Sequence, residues 1–367
     1  LPIDPGPPPY LGDPVSDQAF KDSAVELIRF SSLLDPGANV IIDVSPATLG
    51  DNTLGANDGD GHDQNPATGE PYAPNPANEA EFGRAIAEFW ADGPSSETPP
   101  GHWNTLANTV SDLIAPELRI GGLGPVVDRL EWDVKLYLVL NGANHDAAVA
   151  AWGSKNRYDY SRPISMIRYM GGKGQSGDPD GAAYDPDGLP LVDGLVEVVT
   201  ASTTATGERH EHLAGHEGEI TVLAWRGTPD DRETETAGVT WILAVDWVPY
   251  QLPTFVTPSF AAYVSGHSTF SRASAEVLAA FTGDAFFPGG LGEWIIPAGS
   301  FEFEAGPFDD VVLQWATYAD AADQAGISRL YGGIHVAADD LAGRVMGAEI
   351  GRAAWNEARR YYGDGDG

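Results

Sequence analysis

The sequence predicts a mainly α-helical fold with long loops and minor β-hairpin structure. In the stretches 125–152 and 266–281, apolar residues recur with the period of a helix, and in the second they keep one face of it buried. The segments 50–78 and 171–190 are instead rich in Asp, Gly and Pro, which favour turns and loops. Because these segments separate the periodic stretches, we expect helices joined by long connections.

The same periodicity orders the helices along the chain. Asn78 is a residue type that caps helices, so we place a helix start there and its end near Asp92. Pro125 suits the first turn of a helix. The helix that follows it has apolar residues on most sides, which is typical of a central, buried helix. The predicted helices cover residues 17–34, 78–92, 101–115, 125–152, 266–281, 308–325 and 336–360.

Two short strands are predicted at 219–225 and 239–245, where apolar and polar residues alternate, and they can pair with each other. Residues 1–15 are rich in Pro and Gly, which indicates an extended arm over the surface. We expect the whole chain of 367 residues to form a single α-helical domain. In it, the first hundred residues form the arm, loops and helices, and residues 125–360 form the core around the functional site.

The chain carries a formal net charge of −34, from 54 acidic and 20 basic residues. Nucleic acid and anionic membranes both require clustered Lys and Arg, so this composition excludes them as partners. One explanation is a halophilic or marine habitat, where an acidic surface stays hydrated and salt screens its self-repulsion. The other is an acidic face that captures cations or a basic partner.

Other features of the composition restrict the chemistry and the compartment. The chain has no cysteine, which excludes disulfides, thiolate nucleophiles and Cys-ligated metal sites. It has no apolar run near the roughly 18 residues that a membrane span requires. It opens on Leu-Pro-Ile without an initiator Met, which indicates a processed N-terminus and favours an exported protein, periplasmic or extracellular.

Three segments combine basic residues, serine and histidine in a setting unlike the acidic remainder. They read Trp-Gly-Ser-Lys-Asn-Arg-Tyr-Asp-Tyr-Ser-Arg-Pro at 152–163, Ala-Tyr-Val-Ser-Gly-His-Ser-Thr-Phe at 262–270 and Ser-Arg-Leu-Tyr-Gly-Gly-Ile-His-Val-Ala-Ala-Asp at 328–339. The second lies at a predicted helix start, where unpaired backbone N–H groups favour an anion. His267 beside that start can move protons near neutral pH.

Together the three segments predict an oxyanion site. Lys155, Arg162 and Arg329 supply three positive charges, each worth on the order of 4 kcal/mol against a close anion before desolvation is counted. The fork of an arginine engages two oxygens at once, whereas lysine acts as a point charge. The Ser265 hydroxyl and the Gly266 N–H add directed hydrogen bonds, and glycine lets the backbone approach closely.

The ordered motifs Lys-x6-Arg-Pro, Ser-Gly-His and Ser-Arg-x5-His-x3-Asp resemble a known superfamily. It joins the vanadium-dependent haloperoxidases with the type 2 phosphatidic acid phosphatases and the bacterial acid phosphatases. The resemblance covers about residues 145–345 and leaves the first hundred residues unmatched. It departs at Val264, where many members have Pro before Ser-Gly-His. It implies a helical bundle of the haloperoxidase and acid phosphatase type.

The resemblance also implies a role for each site residue. His335 would bond vanadium directly, or attack phosphorus in a phosphatase, and Asp339 would orient its imidazole ring. His267 would move a proton to or from an apical oxygen or leaving group, and Lys155 would polarise bound peroxide. Vanadate is the implied cofactor, and phosphate can occupy the same site. The residues implied to hold the oxyanion are Lys155, Arg162, Ser265, Gly266, Arg329 and His335.

Two aromatic residues extend the resemblance beyond the charged motifs. Trp152 matches a Trp that flanks the site in haloperoxidases, and Phe260 matches a position that is aromatic in chloroperoxidase-like sites. Ordinary core packing explains both residues equally well, so the preferred halide is not evident from the sequence. His145 and Asp146 either line the pocket or pair within the core.

Additional metal sites are left open by the sequence. The loops 58–63 and 178–188 place carboxylates at alternate positions beside glycine turns, which suits Ca²⁺, although neither has the closing Glu of an EF-hand. His210, His212 and His216 cluster closely enough to suggest a transition metal. Solvated loops are the alternative explanation for all three segments.

Three functions therefore follow from the sequence. The first is a vanadate-dependent haloperoxidase that uses hydrogen peroxide to oxidise halide to hypohalous acid, which then reacts with a small organic substrate. The second is a phosphomonoesterase that uses the same pocket with a phosphohistidine intermediate. The third is a non-catalytic, calcium-dependent binding protein, in which the three cations would be scattered in space. The oligomeric state is left open.

Overall fold

The structure, a computed structural model, describes residues 3–91, 93 and 97–362. These residues form a mainly α-helical fold, as the sequence predicts. The helices are α1 (Asp17–Ser32), α2 (Glu79–Phe89), α3 (Pro99–Ile114), α4 (Arg129–Tyr158), α5 (Pro163–Lys173), α6 (Gly266–Thr282), α7 (Tyr318–Tyr331) and α8 (Ala337–Tyr362). The strands are β1 (Ile41–Asp43), β2 (Pro76–Asn78), β3 (Val196–Val198), β4 (Ile220–Trp225), β5 (Val239–Leu243), β6 (Gly292–Ile296) and β7 (Val311–Trp315).

The strands form three small antiparallel sheets in the connections between helices. β1 pairs with β2, β4 lies between β3 and β5, and β6 pairs with β7. The predicted pair of strands is confirmed as β4 and β5, which place Val222 opposite Ile242. The strands β1, β2 and β3 have three residues each, too few for an alternating pattern to identify them.

The prediction of a helix over 308–325 is wrong in its first half. Residues Val311–Trp315 form β7, and α7 begins only at Tyr318. Burial alternates residue by residue along β7, which is the period of a strand. Thr317 then caps α7, because its hydroxyl accepts a hydrogen bond from the Asp320 N–H at 3.0 Å.

The predicted start of α2 is confirmed. The Asn78 side chain accepts hydrogen bonds from the backbone N–H groups of Ala80 and Glu81 at 3.0 and 3.3 Å. These bonds satisfy two of the donors that the first turn of a helix leaves unpaired. The helix ends at Phe89, and the predicted end near Asp92 falls outside the described residues.

Two predictions for α4 are wrong. The helix begins at Arg129, because the Asp128 carboxylate accepts a hydrogen bond from the Glu131 N–H at 2.9 Å, so Pro125 lies before the cap. Nor is the helix buried on all sides. One face packs against α6 and α8, and the opposite face exposes the apolar side chains of Leu130, Val134, Leu138 and Val149. Neither α4 nor any other helix of the described residues is long and apolar enough to cross a membrane.

The start of the chain lies along the end of α4. Residues 3–15 form no helix or strand, and the Tyr158 hydroxyl donates to the Asp4 carboxylate at 2.5 Å. The rings of Tyr10 and Tyr160 meet edge to face at 5.7 Å between centroids. The extended arm that the sequence predicts is thus found over these residues, and its first two positions lie outside the described part of the chain.

Helix α6 lies at the centre of the helical packing, in contact with α3, α4, α7 and α8. Three glycines one turn apart on α8 allow a close approach to α6. A Cβ atom at Gly347 would lie 2.5 Å from the carbonyl oxygen of Thr269, and Gly343 and Gly351 approach α6 in the same way. This contact fixes the start of α6 beside the loop that joins α7 to α8.

Candidate oxyanion site

A cavity of about 360 Å³ opens where the end of α4 meets the start of α6. The sequence singles out ten residues for the site. Eight of them line this cavity, and the other two, Ser265 and Asp339, lie behind its wall. The structure therefore brings together three segments that are far apart in sequence. The predicted residues in the lining are Trp152, Lys155, Arg162, Phe260, Gly266, His267, Arg329 and His335.

His335 is oriented by the first turn of α8. Its Nδ1 atom lies 2.8 Å from the Asp339 carboxylate, which also accepts a hydrogen bond from the Val336 N–H at 3.2 Å. A carboxylate accepts hydrogen bonds, so the ring proton lies on Nδ1 and Nε2 carries a lone pair. Arg162 Nη1 lies 3.2 Å from that Nε2 atom, in agreement with this tautomer. Burial and the charge of Arg162 hold the pKa of His335 well below its usual range.

Arg162 precedes α5 and is anchored by backbone oxygens. Its Nε donates to the Phe260 carbonyl and its Nη1 to the Ile334 carbonyl, both at 2.9 Å. These bonds hold the guanidinium plane at the pocket wall, where its charge faces His335. Burial lowers the pKa of Arg162 to about 10, so the side chain still carries its charge at neutral pH.

Lys155 lies in the last turn of α4 and is almost completely buried, with 3% of its surface exposed. Its Nζ donates to the carbonyl oxygens of Ala261 and Ala262 at 3.0 and 2.7 Å. An ammonium group has three N–H donors, which leaves one for a ligand. The Phe260 and Trp152 rings lie 5.3 and 5.7 Å from Nζ, within range of a cation–π contact.

The charge on Lys155 is sensitive to what the pocket holds. Burial and the neighbouring Arg162 lower the pKa of Lys155, whereas burial raises the pKa of the Asp339 carboxyl. An anion bound between them would favour the charged lysine by direct attraction. A bound oxyanion would thus hold Lys155 in its charged form.

Ser265 caps the start of α6 and ties it to α8. Its backbone N–H donates to the Asp339 carbonyl at 2.9 Å. Its hydroxyl oxygen lies 2.8 Å from the Ser268 hydroxyl oxygen, which lies 2.7 Å from the Asp340 carboxylate. Because the carboxylate only accepts, Ser268 donates to it. The first N–H groups of α6, beginning with that of Gly266, have no partner within the helix and carry partial positive charge.

His267 follows on α6 and is held by α2. Its Nε2 donates to the Trp90 carbonyl at 2.8 Å, which leaves a lone pair on Nδ1 when the ring is neutral. Burial and the charge of Arg329 hold the pKa of His267 well below its usual range. A neutral imidazole with a free lone pair is suited to accept a proton from a bound molecule.

Arg329 enters the pocket from α7 and is also anchored to α2. Its Nη2 donates to the Ala87 carbonyl at 2.8 Å, and its Nε donates to the Ser328 hydroxyl at 3.0 Å. The side chain is 1% exposed. It completes a set of three buried cations around one cavity, in a chain whose net charge is −34.

Comparison with known proteins agrees with this geometry. The family model described as the VCPO second helical-bundle domain matches residues 135–364. The chain belongs to the vanadium haloperoxidase superfamily. This match contains every predicted site residue of all three motifs, and it confirms the resemblance that those motifs indicate. A search of curated proteins finds no match.

Two solved structures of a chloroperoxidase share this fold. The holo form of a bacterial vanadium-dependent chloroperoxidase is 18% identical, with a TM-score of 0.56, and the match covers 97% of this chain and 51% of that chain. The apo form is 17% identical, with a TM-score of 0.57, and the match covers 98% and 53%. A bacterial vanadium-dependent iodoperoxidase is 19% identical, with a TM-score of 0.48 and coverage of 96% and 52%. The chain thus spans about half the length of the chloroperoxidase chains that it matches.

The first hundred residues, which the motifs leave unmatched, also contribute to the site. The carbonyl oxygens of Ala87 and Trp90 hold Arg329 and His267, and the start of α3 forms one wall of the pocket. Sequence reasoning also missed the wall residues of the loop before α6 and two apolar neighbours. Phe270 and Ile334 stand within two of the three segments, but all these residues contribute shape and not charge, so nothing in the sequence singles them out: Thr98, Pro99, Pro100, Gln251, Phe255, Pro258, Phe270 and Ile334.

His145 and Asp146 are not part of the site. They pair with each other at 3.2 Å, and their side chains are 75% and 50% exposed. They lie on the outer face of α4, so the two placements that the sequence suggests, the pocket and the core, are both wrong. His145 precedes Trp152 by seven residues on the same helix, but among the described residues no contact links the His145 side chain to the cavity.

The additional metal sites find no support. Within the described residues, no three His, Asp or Glu side chains are placed to hold one metal ion. The histidines of the 210–216 cluster have separate partners: His210 contacts the Thr203 hydroxyl, His212 the Trp241 carbonyl and His216 the Glu219 carboxylate. The acidic loops close their own turns, as Asp178 and Asp185 accept the N–H groups of Asp180 and Asp187. The calcium and transition-metal hypotheses therefore lose their geometric basis.

Proposed function

We propose that this protein is a vanadate-dependent haloperoxidase. It would oxidise halide with hydrogen peroxide, so that halide, peroxide and a proton give hypohalous acid and water. The observation that carries the proposal is the lone pair on His335 Nε2, which lies 3.2 Å from Arg162 Nη1 in the wall of a cavity that three buried basic side chains line. Membership of the vanadium haloperoxidase superfamily supports the choice of vanadate.

The residues present fit vanadate, a tetrahedral oxyanion of two or three negative charges. Burying such an ion requires local positive charge, and the cavity concentrates three cations in an otherwise acidic chain. His335 Nε2 is the atom suited to bond vanadium, since its tautomer is fixed by Asp339. The oxygens would be held by Lys155, Arg162, Arg329 and the Gly266 N–H, whereas the Ser265 hydroxyl, which the sequence also suggests for this role, lies behind the wall and caps α6.

Bound vanadate supplies a Lewis acid that activates peroxide without changing its own oxidation state. Around it, the chain positions charge and moves protons. Lys155, whose Nζ gives two of its N–H donors to the Ala261 and Ala262 carbonyls, would have its third for an oxygen of peroxide and would polarise it for attack by halide. His267 accepts a proton at Nδ1 and returns it to the departing oxygen, while its Nε2 remains on the Trp90 carbonyl.

A phosphomonoesterase is the second candidate, and the same lone pair favours it. His335 Nε2 would attack phosphorus to form the phosphohistidine intermediate, and His267 would give its proton to the leaving alcohol. Arg162 and Arg329 would stabilise charge on the transferring group. The calcium-dependent binding protein is not retained, because it requires scattered cations, whereas all three line one cavity.

One pair of assays separates the two enzymes. The protein loaded with orthovanadate is tested for peroxide-dependent halogenation with chloride, bromide and iodide, and the vanadate-free protein is tested on p-nitrophenyl phosphate. We expect halogenation that His335→Ala abolishes, with negligible phosphatase turnover. The matched control is His145→Ala, which removes an exposed histidine and should change neither rate. Phosphate hydrolysis that vanadate inhibits, without halogenation, would contradict the proposal.

A further inference from the structure

A second cavity, which we call the rear cavity, lies between the first hundred residues and the unit formed by β7 and α7. Its walls come from α1, α2, β1 and the loop after β1 on one side, and from β7 and α7 on the other. It has a volume of about 180 Å³ and shares no lining residue with the oxyanion pocket. Leu49, which is 38% exposed, lies between the cavity and solvent. The rear cavity therefore admits a small molecule, and no step of the proposed reaction uses it.

Three side chains that line the rear cavity carry a buried polar atom without a hydrogen-bond partner among the described residues. These atoms are Trp315 Nε1, Gln314 Oε1 and Asp323 Oδ1. Trp315 is 1% exposed and Asp323 5%. Gln314 gives its Nε2 to the Glu293 carboxylate at 2.6 Å, so its oxygen alone is left over. Buried polar groups are normally satisfied, which indicates an occupant that offers two donors and one acceptor.

The charge of Asp323 is only partly balanced by its neighbours. Its Oδ1 lies 3.2 Å from Arg344 Nη1 and 3.6 Å from Arg272 Nη1. Both arginines are shared with another carboxylate, since Arg344 pairs with Asp340 at 2.5 Å and Arg272 with Glu276 at 3.2 Å. Burial raises the pKa of the Asp323 carboxyl to about 6 despite these two guanidinium groups. A further positive charge in the cavity would stabilise its ionised form.

The remaining walls of the rear cavity also suit a small cation. The rings of Phe30 and Tyr331 meet edge to face at 4.7 Å between centroids, and Phe82 adds a third ring. Ring faces attract cations, and organic ammonium ions are the ligands that groups of aromatic rings commonly hold. Asp320 supplies a second carboxylate to the lining and pairs with His62 at 2.8 Å. The walls thus combine rings, carboxylates and an unpaired amide oxygen.

We propose that the rear cavity binds a small organic ammonium ion that carries a hydroxyl group. The ammonium N–H donors would go to Gln314 Oε1 and Asp323 Oδ1, and the hydroxyl oxygen would accept from Trp315 Nε1. The carbon atoms would pack against the rings. Because the two cavities share no lining residue, this binding does not depend on the proposed haloperoxidase function.

Isothermal titration calorimetry with ethanolamine, which is protonated at neutral pH, tests the proposal. Ethylene glycol and glycolate serve as comparisons of similar size, one uncharged and one negative. Gln314→Leu removes the unpaired amide oxygen, and Leu49→Trp fills the cavity from its exposed edge. The control is Leu113→Trp, which places the same ring at a 60% exposed position on α3. Urea unfolding of every variant shows that each one is folded, and Leu49→Trp decides if Gln314→Leu is not.

We expect ethanolamine to bind with a Kd on the order of 1 mM, and the two comparison molecules at least about tenfold more weakly. Gln314→Leu and Leu49→Trp should each weaken ethanolamine by a similar factor, and Leu113→Trp should not. Equal binding by all four proteins would mean that the acidic surface merely attracts cations, and would overturn the site. Ethylene glycol bound as tightly as ethanolamine, or no binding by the original chain, would overturn it as well.

Discussion

The Trp90 carbonyl accepts a hydrogen bond from His267 Nε2 at 2.8 Å. This bond joins α2, from the first hundred residues, to the Ser-Gly-His motif at the start of α6. It sets the tautomer of the His267 ring, so that Nδ1 is left to exchange protons with a bound molecule. Proton transfer in the pocket thus depends on a backbone atom outside the three motifs.

The first prediction concerns the carboxylate behind His335. In Asp339→Asn the amide replaces a charged acceptor, so the Nδ1 proton of His335 is held less firmly and Nε2 becomes a weaker ligand. We expect the affinity for orthovanadate to fall by about 10-fold to 100-fold, as is typical when the partner of a metal-bound histidine is removed. The measurement is a vanadate titration followed by halogenation activity. Asp146→Asn, at an exposed carboxylate, is the control and should leave the titration unchanged.

The second prediction concerns the pH dependence of stability. The pKa of His267 lies well below its usual value of 6.5, so the folded protein binds fewer protons there than the unfolded chain does. The contribution of His267 to the free energy of unfolding therefore decreases as pH falls below about 6.5, by up to about 1.4 kcal/mol per pH unit. Above that pH the contribution is constant.

Urea unfolding of the original chain and of His267→Gln is measured between pH 5 and pH 8. The contribution of His267 is the difference between their free energies of unfolding. Below pH 6.5 we expect the free energy of unfolding of the original chain to fall relative to that of His267→Gln. The pKa of the Glu88 carboxyl is raised by burial to about 7. This carboxyl titrates in both proteins, so its effect on stability cancels in the difference. Parallel stability curves over the whole range would show that His267 is not held neutral.

The third prediction concerns the glycines between α6 and α8. In Gly347→Ala the added methyl group would lie 2.5 Å from the Thr269 carbonyl oxygen, which belongs to backbone and cannot swing away. We expect a loss of about 1–3 kcal/mol in the free energy of unfolding, the usual cost of overpacking. Gly142→Ala on the exposed face of α4 meets no atom within 4 Å and should stabilise the protein by roughly 0.5–1 kcal/mol. Equal effects of the two substitutions on urea unfolding would contradict the close approach.

The charged part of the site could be predicted from the sequence because charge and spacing are visible there. Lys155 and Arg162 are separated by a helix end, and His335 and Asp339 by one turn, so each motif fixes its own local geometry. Bases are also scarce in this chain, which makes a cluster of them conspicuous. The structure places all of these side chains at or directly behind one cavity.

The rest of the site could not be predicted, because it depends on atoms that every residue type carries. Ala87 and Trp90 contribute backbone oxygens, and no sequence pattern marks a carbonyl group as a partner. The same limit applies to α4, whose exposed face carries apolar residues such as Leu130 and Val134, so that its pattern resembles a buried helix. The apolar residues of β7 come just before α7, so the sequence pattern does not show where the strand ends and the helix begins.

The central claim is that His335 Nε2 bonds an oxyanion that Lys155, Arg162 and Arg329 neutralise. A crystal structure of the protein soaked with orthovanadate tests it most directly. We predict one vanadium centre in the pocket, within bonding distance of His335 Nε2, with its oxygens on the three cations. Vanadate bound elsewhere, or held in the pocket without a bond to His335, would contradict the account.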